Sequence, residues 1–230
     1  MRLVAISDTH LFQSDLGTLP EGDVLIFAGD LLRGGSLDEL RTVADWWKSL
    51  EYPHKVFVAG NHDCCFVDHP EQSLEILGDG FHYLQDSEVS ISGVRIWGSP
   101  WQPEYNSWEF NLPRGKALAD KWSLIPDGID VLITHGPPKG IGDQCGMERR
   151  DGCADLLAAV CRVRPGLHLF GHIHQDGGFW QQGETYFANV TTWESTRMPT
   201  ILDYDKSTKT VAPIRIPPAF KKRECVQSGK

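Results

Sequence analysis

A chain of 230 residues is long enough to bury a substantial core and short enough to do so in one domain. Its net charge of −9, from 31 acidic against 22 basic residues, excludes a protein that wraps long nucleic acid, where many Lys and Arg must meet phosphates. No run of about 18 apolar residues is present to span a membrane, and six cysteines without C-x-x-C spacing exclude a zinc ribbon and point to reduced thiols.

From the amino end, Leu3-Val4-Ala5-Ile6-Ser7 reads as a buried strand running into Asp8-Thr9-His10. Met1-Arg2 leading directly into a strand is not a signal peptide, so a cytoplasmic location is expected. A loop rich in Gly, Pro and Asp over 11–22 precedes the strand Val24-Leu25-Ile26-Phe27-Ala28, which ends in Gly29-Asp30. Ser36 with Glu39 three residues later has the capping-box pattern. Leu37, Leu40, Val43, Ala44, Trp47 and Leu50 follow at helical spacing, which predicts an amphipathic helix over 37–50, with Trp46 and Trp47 as packing residues. The strand Val56-Phe57-Val58-Ala59 stops at Gly60 and delivers Asn61-His62-Asp63. Pro70 predicts the start of a short helix over 70–77, and Ser92-Gly93 between Ile91 and Val94 predicts a hairpin.

Residues 98–113 set Trp101, Tyr105, Trp108 and Phe110 among prolines, Gly98, Asn106 and Asn111. Long ordered loops are usually functional; these rings either stack on a base or ring of a ligand or pin the loop to the core. A helix over 116–124, the strand Val131-Leu132-Ile133-Thr134 into His135-Gly136, a helix over 153–163 and the strand Leu167-His168-Leu169-Phe170 into Gly171-His172-Ile173-His174 follow. Strands over 185–190, 200–204 and 210–216 complete a single domain at 1–216, and 217–230 reads as a loose tail. The alternation of strand and helix followed by a hairpin predicts an α/β fold with a mixed sheet.

Five predicted strands thus end in Asp, Asn or His. Open α/β sheets build their sites at such ends, and these side chains hold divalent metals through oxygen and nitrogen. A shared carboxylate can hold two cations about 3.5–4 Å apart, and Asp30, alone after its strand, is the natural bridge. Asp8 and His10, two apart on an extended segment, can face one cation; His172 and His174, equally spaced, can divide between the two. Asn61 offers a carbonyl oxygen and His135 an imidazole. Such a pair would activate a water for in-line attack on phosphorus. His62, spare from the ligand set, suits protonation of the departing alkoxide, with Asp63 placed to orient it. Arg33, Arg114, Arg149 and Arg150 are candidates for gripping non-bridging phosphate oxygens. His54, His69, His82 and His168 read as surface or packing residues. Cys64 and Cys65 are expected to be buried beside the site, where oxidation would impair metal binding.

In their order and spacing, Asp8-x-His10, Gly29-Asp30, Gly60-Asn61-His62-Asp63, His135 and Gly171-His172-x-His174 resemble the calcineurin-like metallophosphoesterase superfamily. The resemblance implies a four-layer αββα sandwich of two mixed β-sheets flanked by helices. It implies Asp8, His10, Asp30 and His174 on one metal, Asp30, Asn61, His135 and His172 on the other, and His62 as general acid. Gly98-Ser99-Pro100-Trp101, Phe110-Asn111-Leu112-Pro113-Arg114-Gly115, Thr134-His135-Gly136-Pro137-Pro138 and Val163-Arg164-Pro165 are similar to the small metallophosphoesterase-domain branch known from animal brain, over residues 1–205. That branch is associated with hydrolysis of phosphodiesters, including cyclic nucleotides, with manganese or similar metals. Some of its members carry Gly where this chain has His172, whose presence implies a complete site. Protein phosphatases of the superfamily show Gly-Asp-x-x-Asp-Arg-Gly; Gly29-Asp30-Leu31-Leu32-Arg33-Gly34 lacks the second Asp, which disfavours a phosphoprotein substrate. The expectation is a dinuclear phosphodiesterase of small phosphodiesters or nucleotides, with two divalent ions, manganese first and iron, zinc or cobalt as alternatives, and no long nucleic acid or membrane as partner. A phosphomonoesterase, or a non-catalytic metal-binding protein that meets a partner through the aromatic loop, are the other readings.

Overall fold

Both faces of the first strand are buried, and that decides the architecture. In β1 (Arg2–Ile6), Leu3 and Ala5 point one way and Val4 and Ile6 the other, and all four are sealed from solvent, because successive strand side chains alternate faces. A strand of this kind needs a layer on each side.

The structure, a computed structural model, describes residues 1–146 and 149–218. After β1 come β2 (Val24–Ala28), α1 (Leu37–Lys48), β3 (His54–Val58), α2 (Cys65–Asp68), α3 (Pro70–Leu77), β4 (Phe81–Tyr83), β5 (Ser87–Ile91), β6 (Val94–Ser99), β7 (Gln102–Pro103) and β8 (Asn111–Leu112). Then follow α4 (Lys116–Trp122), β9 (Val131–Thr134), α5 (Ala154–Val163), β10 (Leu167–Phe170), β11 (Gly178–Gln182), β12 (Thr185–Asn189), β13 (Thr200–Asp205) and β14 (Thr210–Arg215). One six-stranded sheet has the order β14-β13-β1-β2-β3-β4 and the other β11-β12-β10-β9-β6-β5. Both are mixed. β1 to β4 are parallel, β13 runs antiparallel to β1, and β14 pairs antiparallel with β13; β6, β9, β10 and β12 are parallel between antiparallel edges β5 and β11.

The sheets pack on each other through Leu3, Ala5, Ile26, Val56 and Val58 on one side and Ile96, Ile133, Leu167 and Leu169 on the other. The outer face of the first sheet, with Val4, Phe27 and Phe57, is covered by Leu40, Val43 and Trp47 of α1 and Leu77 of α3. The outer face of the second, with Trp97, Leu132 and Phe170, is covered by Leu118 and Trp122 of α4 and Leu156 and Val160 of α5. The expected four-layer αββα sandwich is therefore present. Trp47 is the largest anchor of its layer, buried and stacked on Phe81 with ring centroids 5.1 Å apart; truncating a ring so placed costs about 3–5 kcal/mol.

The capping box forms with a difference. Ser36 Oγ accepts from the Glu39 N–H at 3.2 Å, while the Glu39 carboxylate reaches past Ser36 to the N–H groups of Gly34 and Gly35, each at 2.9 Å. β4 and β11 lie outside the predicted elements. Each is an edge strand whose pairing is supplied by its neighbour rather than by its own short pattern. No helix among the described residues is long and apolar enough to cross a membrane. Of the expected tail, Pro217 and Pro218 are held by Arg197, which donates to both carbonyls; 219–230 lie outside the described residues.

Candidate metal centre

The carboxyl ends of β1, β2, β3, β9 and β10 meet along one rim, and the five loops that leave them carry Asp8 and His10, Asp30, Asn61 and His62, His135, and His172 and His174. Close approach requires small residues here. A Cβ on Gly29 would overlap the His135 ring, and one on Gly171 would overlap Ser7 and Asp8. The expected extended run at Asp8 and His10 is absent. Asp8 (φ 57°) and His10 (φ 44°) are left-handed, as are Asp30 (φ 56°) and His172 (φ 66°). The cause is a loop-on-loop seam: the N–H groups of Asp8, His10 and Leu11 donate to the carbonyls of Gly29, Asp30 and Leu31. Left-handed backbone costs an ordinary residue about 1–2 kcal/mol, and it persists because such bonds over-determine it.

All eight residues singled out in the sequence come together. Three groups have ligand atoms within 4.8 Å of one another: Asp8, His10 and His174; His10, Asp30 and His62; Asp30, His135 and His172. Asp30 belongs to two of them. Asn61 joins through Oδ1, 3.0 Å from His135 Nε2. The imidazoles are fixed from behind. His10 Nδ1 meets the Leu32 carbonyl at 3.1 Å and His135 Nδ1 meets the Ala28 carbonyl at 2.9 Å. Donation from Nδ1 turns each Nε2 lone pair inward. His10 Nε2 then lies 3.4 Å from His174 Nε2, and His135 Nε2 lies 3.4 Å from an Asp30 oxygen.

Lone pairs and carboxylates so opposed require positive charge between them. Without metal, protons supply it. Burial opposes ionisation, yet Asp30 raises His135 to about 9 and Asp8 raises His174. Burial works the other way on the acids, but His174 holds Asp8, and His135 holds Asp30, well below the usual carboxylate range. His172, by contrast, is pushed down to about 3 by burial and by His135. A mixed N/O set with a carboxylate common to two groups is the chemistry of a dinuclear divalent-cation site, and the residues fit it.

Asp63 does not orient His62. Its carboxylate, buried, accepts from the backbone N–H groups of Gly60 (2.8 Å), Asp30 (3.0 Å), Leu31 (3.4 Å) and Leu32 (2.9 Å), and so pins the loop after β2 to the loop after β3. Burial and the Asp30 charge push it up to about 7 against the pull of those donors. His62 is held instead by the Arg33 carbonyl, 2.8 Å from Nδ1, and by its own N–H, which donates to Asp30 Oδ1 at 2.8 Å.

A cavity of about 460 Å³ opens over the centre, lined by His10, Asp30, His62, His172 and His174 and by Tyr105, Trp108, Arg114 and Arg149. The aromatic loop divides its rings between both expected uses. Phe110 is buried against Trp101, whose Nε1 donates to Asp86 at 3.0 Å, so these two pin the loop. Tyr105 and Trp108, 41% and 39% exposed, face the cavity, and Trp108 lies 4.6 Å from the His62 ring. Of the four arginines, Arg33 and Arg150 are not among the lining residues: Arg33 lies over Phe12 and Arg150 pairs with Asp143 at 2.6 Å. Cys65 is buried and Cys64 half-buried, and burial pushes their thiols up to about 12 and about 11, which leaves little thiolate to oxidise at neutral pH. His168 is a packing residue, as expected, sealed between Phe170 and Phe187. Gln102 is a site residue that the sequence does not announce. It follows Trp101 in an irregular loop, outside every motif, yet bonds directly to Asn61.

A family model described as "Calcineurin-like phosphoesterase" matches residues 1–176. The human "Metallophosphoesterase domain-containing protein 1" is 41% identical over 230 residues, covering 88% of this chain and 70% of that protein. A Caenorhabditis elegans UPF0046 protein is 40% identical over 82% of this chain and 55% of its own length. Among solved structures, a "Phosphopantetheinyl Hydrolase" from Mycobacterium tuberculosis superimposes with a TM-score of 0.58 at 16% identity, over 82% of this chain and 88% of that one. A Thermus thermophilus protein, TT1561, reaches 0.65 at 12% identity, over 92% and 97%; these two likenesses concern the fold. Over the matched span, and over most of its length against the human protein, the chain belongs to the calcineurin-like phosphoesterase family.

Proposed function

We propose that the chain is a dinuclear metal-dependent phosphodiesterase that hydrolyses small phosphodiesters such as cyclic nucleotides, with His62 as general acid. Asp8, His10, Asp30 and His174 would hold one divalent cation and Asp30, Asn61, His135 and His172 the other, with manganese the metal of choice and iron, zinc or cobalt acceptable to the same donors. Bound there, the cations would supply an activated water and neutralise charge on the phosphoryl oxygens. The observation that carries the reading is the place of His62, grouped with His10 and Asp30 and lining one cavity together with Tyr105 and Trp108.

His62 Nδ1–H donates to the Arg33 carbonyl, so Nε2 is the nitrogen left to give a proton to the leaving oxygen. The tilted Trp108 ring and the Arg33 bond together limit rotation of the imidazole, which keeps it near one reactive geometry. A volume of about 460 Å³ is in the range of single small-ligand sites. Tyr105 and Trp108 offer π faces to a base or aryl group, and Arg149, with its guanidinium 5.5 Å from the Tyr105 ring centre and paired with Asp151 at 2.8 Å, lines the same cavity. The net charge of −9 supports a small substrate over a long nucleic acid. Five unpaired cysteines among the described residues accord with a reducing, cytoplasmic setting.

Hydrolysis of bis-p-nitrophenyl phosphate tests the reading. Chelation abolishes turnover, manganese restores it, and His62→Ala lowers kcat by about 10²–10⁴-fold with metal content unchanged. Failure of the metal-loaded chain to turn over any monoester or diester overturns the reading. A faster rate on p-nitrophenyl phosphate than on the diester moves the substrate to phosphomonoesters.

A further inference from the structure

Three side-chain amides connect the aromatic loop to the metal centre, and their polarity can be read without ambiguity. The Tyr105 backbone carbonyl can only accept. Asn111 Nδ2 donates to it at 3.0 Å, which turns Asn111 Oδ1 toward Gln102. Gln102 must therefore present its NH₂ group, and Nε2 donates both to Asn111 Oδ1 at 3.1 Å and to Asn61 Oδ1 at 2.9 Å. Both hydrogens of that amide are then used. Asn61 is left with its oxygen toward Gln102 and toward His135 Nε2, 3.0 Å away.

Gln102 and Asn61 are each 1% exposed, and this arrangement leaves Gln102 Oε1 and Asn61 Nδ2 buried without a partner among the described residues. Reversing both amides would join those two orphans, but it would set Gln102 Oε1 against Asn111 Oδ1, two acceptors with no hydrogen between them, and would turn the Asn61 N–H instead of its oxygen toward the centre. Nothing in Asn61 itself selects the orientation in which its oxygen faces the centre. The selection comes from the loop.

We infer that Gln102 is a positioning residue, which holds the Asn61 carbonyl oxygen toward the Asp30–His135–His172 group by a polarity relayed from Tyr105 through Asn111. The inference rests on the dinuclear reading above and adds to it a link between the loop that walls the substrate cavity and one cation site. The Tyr105 that fixes the chain of amides also faces the cavity, so the relay ties the aromatic wall to one end of the ligand set.

Manganese binding measured by calorimetry on the full chain tests the assignment. Gln102→Met keeps length and volume but donates nothing, and it weakens the second manganese on the order of 10–100-fold while the first is nearly unchanged. Asn111→Leu, at the half-buried end of the relay, gives a smaller loss in the same direction, and it serves if Gln102→Met does not fold. Asn61→Asp has no amide to orient, so adding Gln102→Met to it costs at most a few-fold. In nitrogen-edited NMR spectra of the metal-free chain, both Gln102 side-chain hydrogens exchange slowly with water. Unchanged affinity in both single variants, with normal uptake by the unsubstituted chain, overturns the positioning role alone, as do fast-exchanging Gln102 hydrogens. Absence of any metal uptake by the unsubstituted chain overturns the dinuclear reading and the relay with it.

Discussion

Asp63 illustrates how a site residue can be visible in a motif and still have its work hidden. Its place after Asn61-His62 suggests a partner for the imidazole, but the turn after β3 sends the carboxylate back to the N–H groups of Gly60, Asp30, Leu31 and Leu32. Three of those donors belong to the loop after β2, far back in the chain, so no local pattern names them. Asp63→Ala leaves several buried donors without an acceptor, each worth about 1–3 kcal/mol. Urea unfolding of the metal-free variant should show a loss of about 3 kcal/mol or more, and a loss below about 1 kcal/mol would mean that water takes over those donors. The other site residues were legible because each lies just past the end of a strand, where a short apolar run leading into Asp, Asn or His, usually beside Gly, is a local signal. Gln102 carries no such signal, since its role exists only once β7 has paired with β8 and laid the side chain against Asn61.

At the scale of elements, the helix most readable in the sequence also supports the site. The Ser36 and Glu39 pattern announces the start of α1, and Glu39 goes further than the pattern requires by gathering the N–H groups of Gly34 and Gly35. That bend carries the Arg33 carbonyl, on which the His62 ring rests. Glu39→Ala should therefore cost about 1 kcal/mol of stability, as the loss of a cap does, and in addition lower kcat more than it raises KM. A loss of stability with no change in kcat would separate the cap from the site. The hairpin at Ser92-Gly93 forms as the turn residues dictate, with φ of 49° and 78°. β4 and β11 were not legible, because a three-residue strand and a strand opening on glycine take their pairing from the sheet edge that receives them.

For the whole molecule, the alternation of apolar strands with helices pointed to an α/β fold with a mixed sheet, but the pairing of two sheets came from resemblance and not from periodicity. The buried interior also sets a pH response. His168, in the outer core of the second sheet, bonds through Nε2 to Thr134 Oγ1 at 2.8 Å, its Nδ1 has no partner among the described residues, and burial pushes it down to about 3. A histidine depressed in the fold and near 6.5 when unfolded takes up its proton only on unfolding, so stability falls as pH drops from about 6.5 toward 3. His168→Leu removes that uptake and should flatten this part of the stability profile, measured by denaturant titration at about pH 7, 6 and 5. Thr134 keeps the Gly136 carbonyl as acceptor, 2.7 Å away, so the substitution strands no donor. A slope unchanged by the substitution would show that other groups govern the acid limb.

The convergence of five strand ends on Asp30 is the feature on which the proposed chemistry depends. Metal analysis of the manganese-loaded chain and its Asp30→Ala variant measures it directly, since in the proposed centre Asp30, which belongs to two of the three ligand groups, would serve both cations, while Asp8 and His172, in one group each, would serve one. Two manganese ions per unsubstituted chain, falling below one in Asp30→Ala, is the result the geometry predicts. Two ions retained after loss of Asp30, or none bound by the unsubstituted chain, would contradict it.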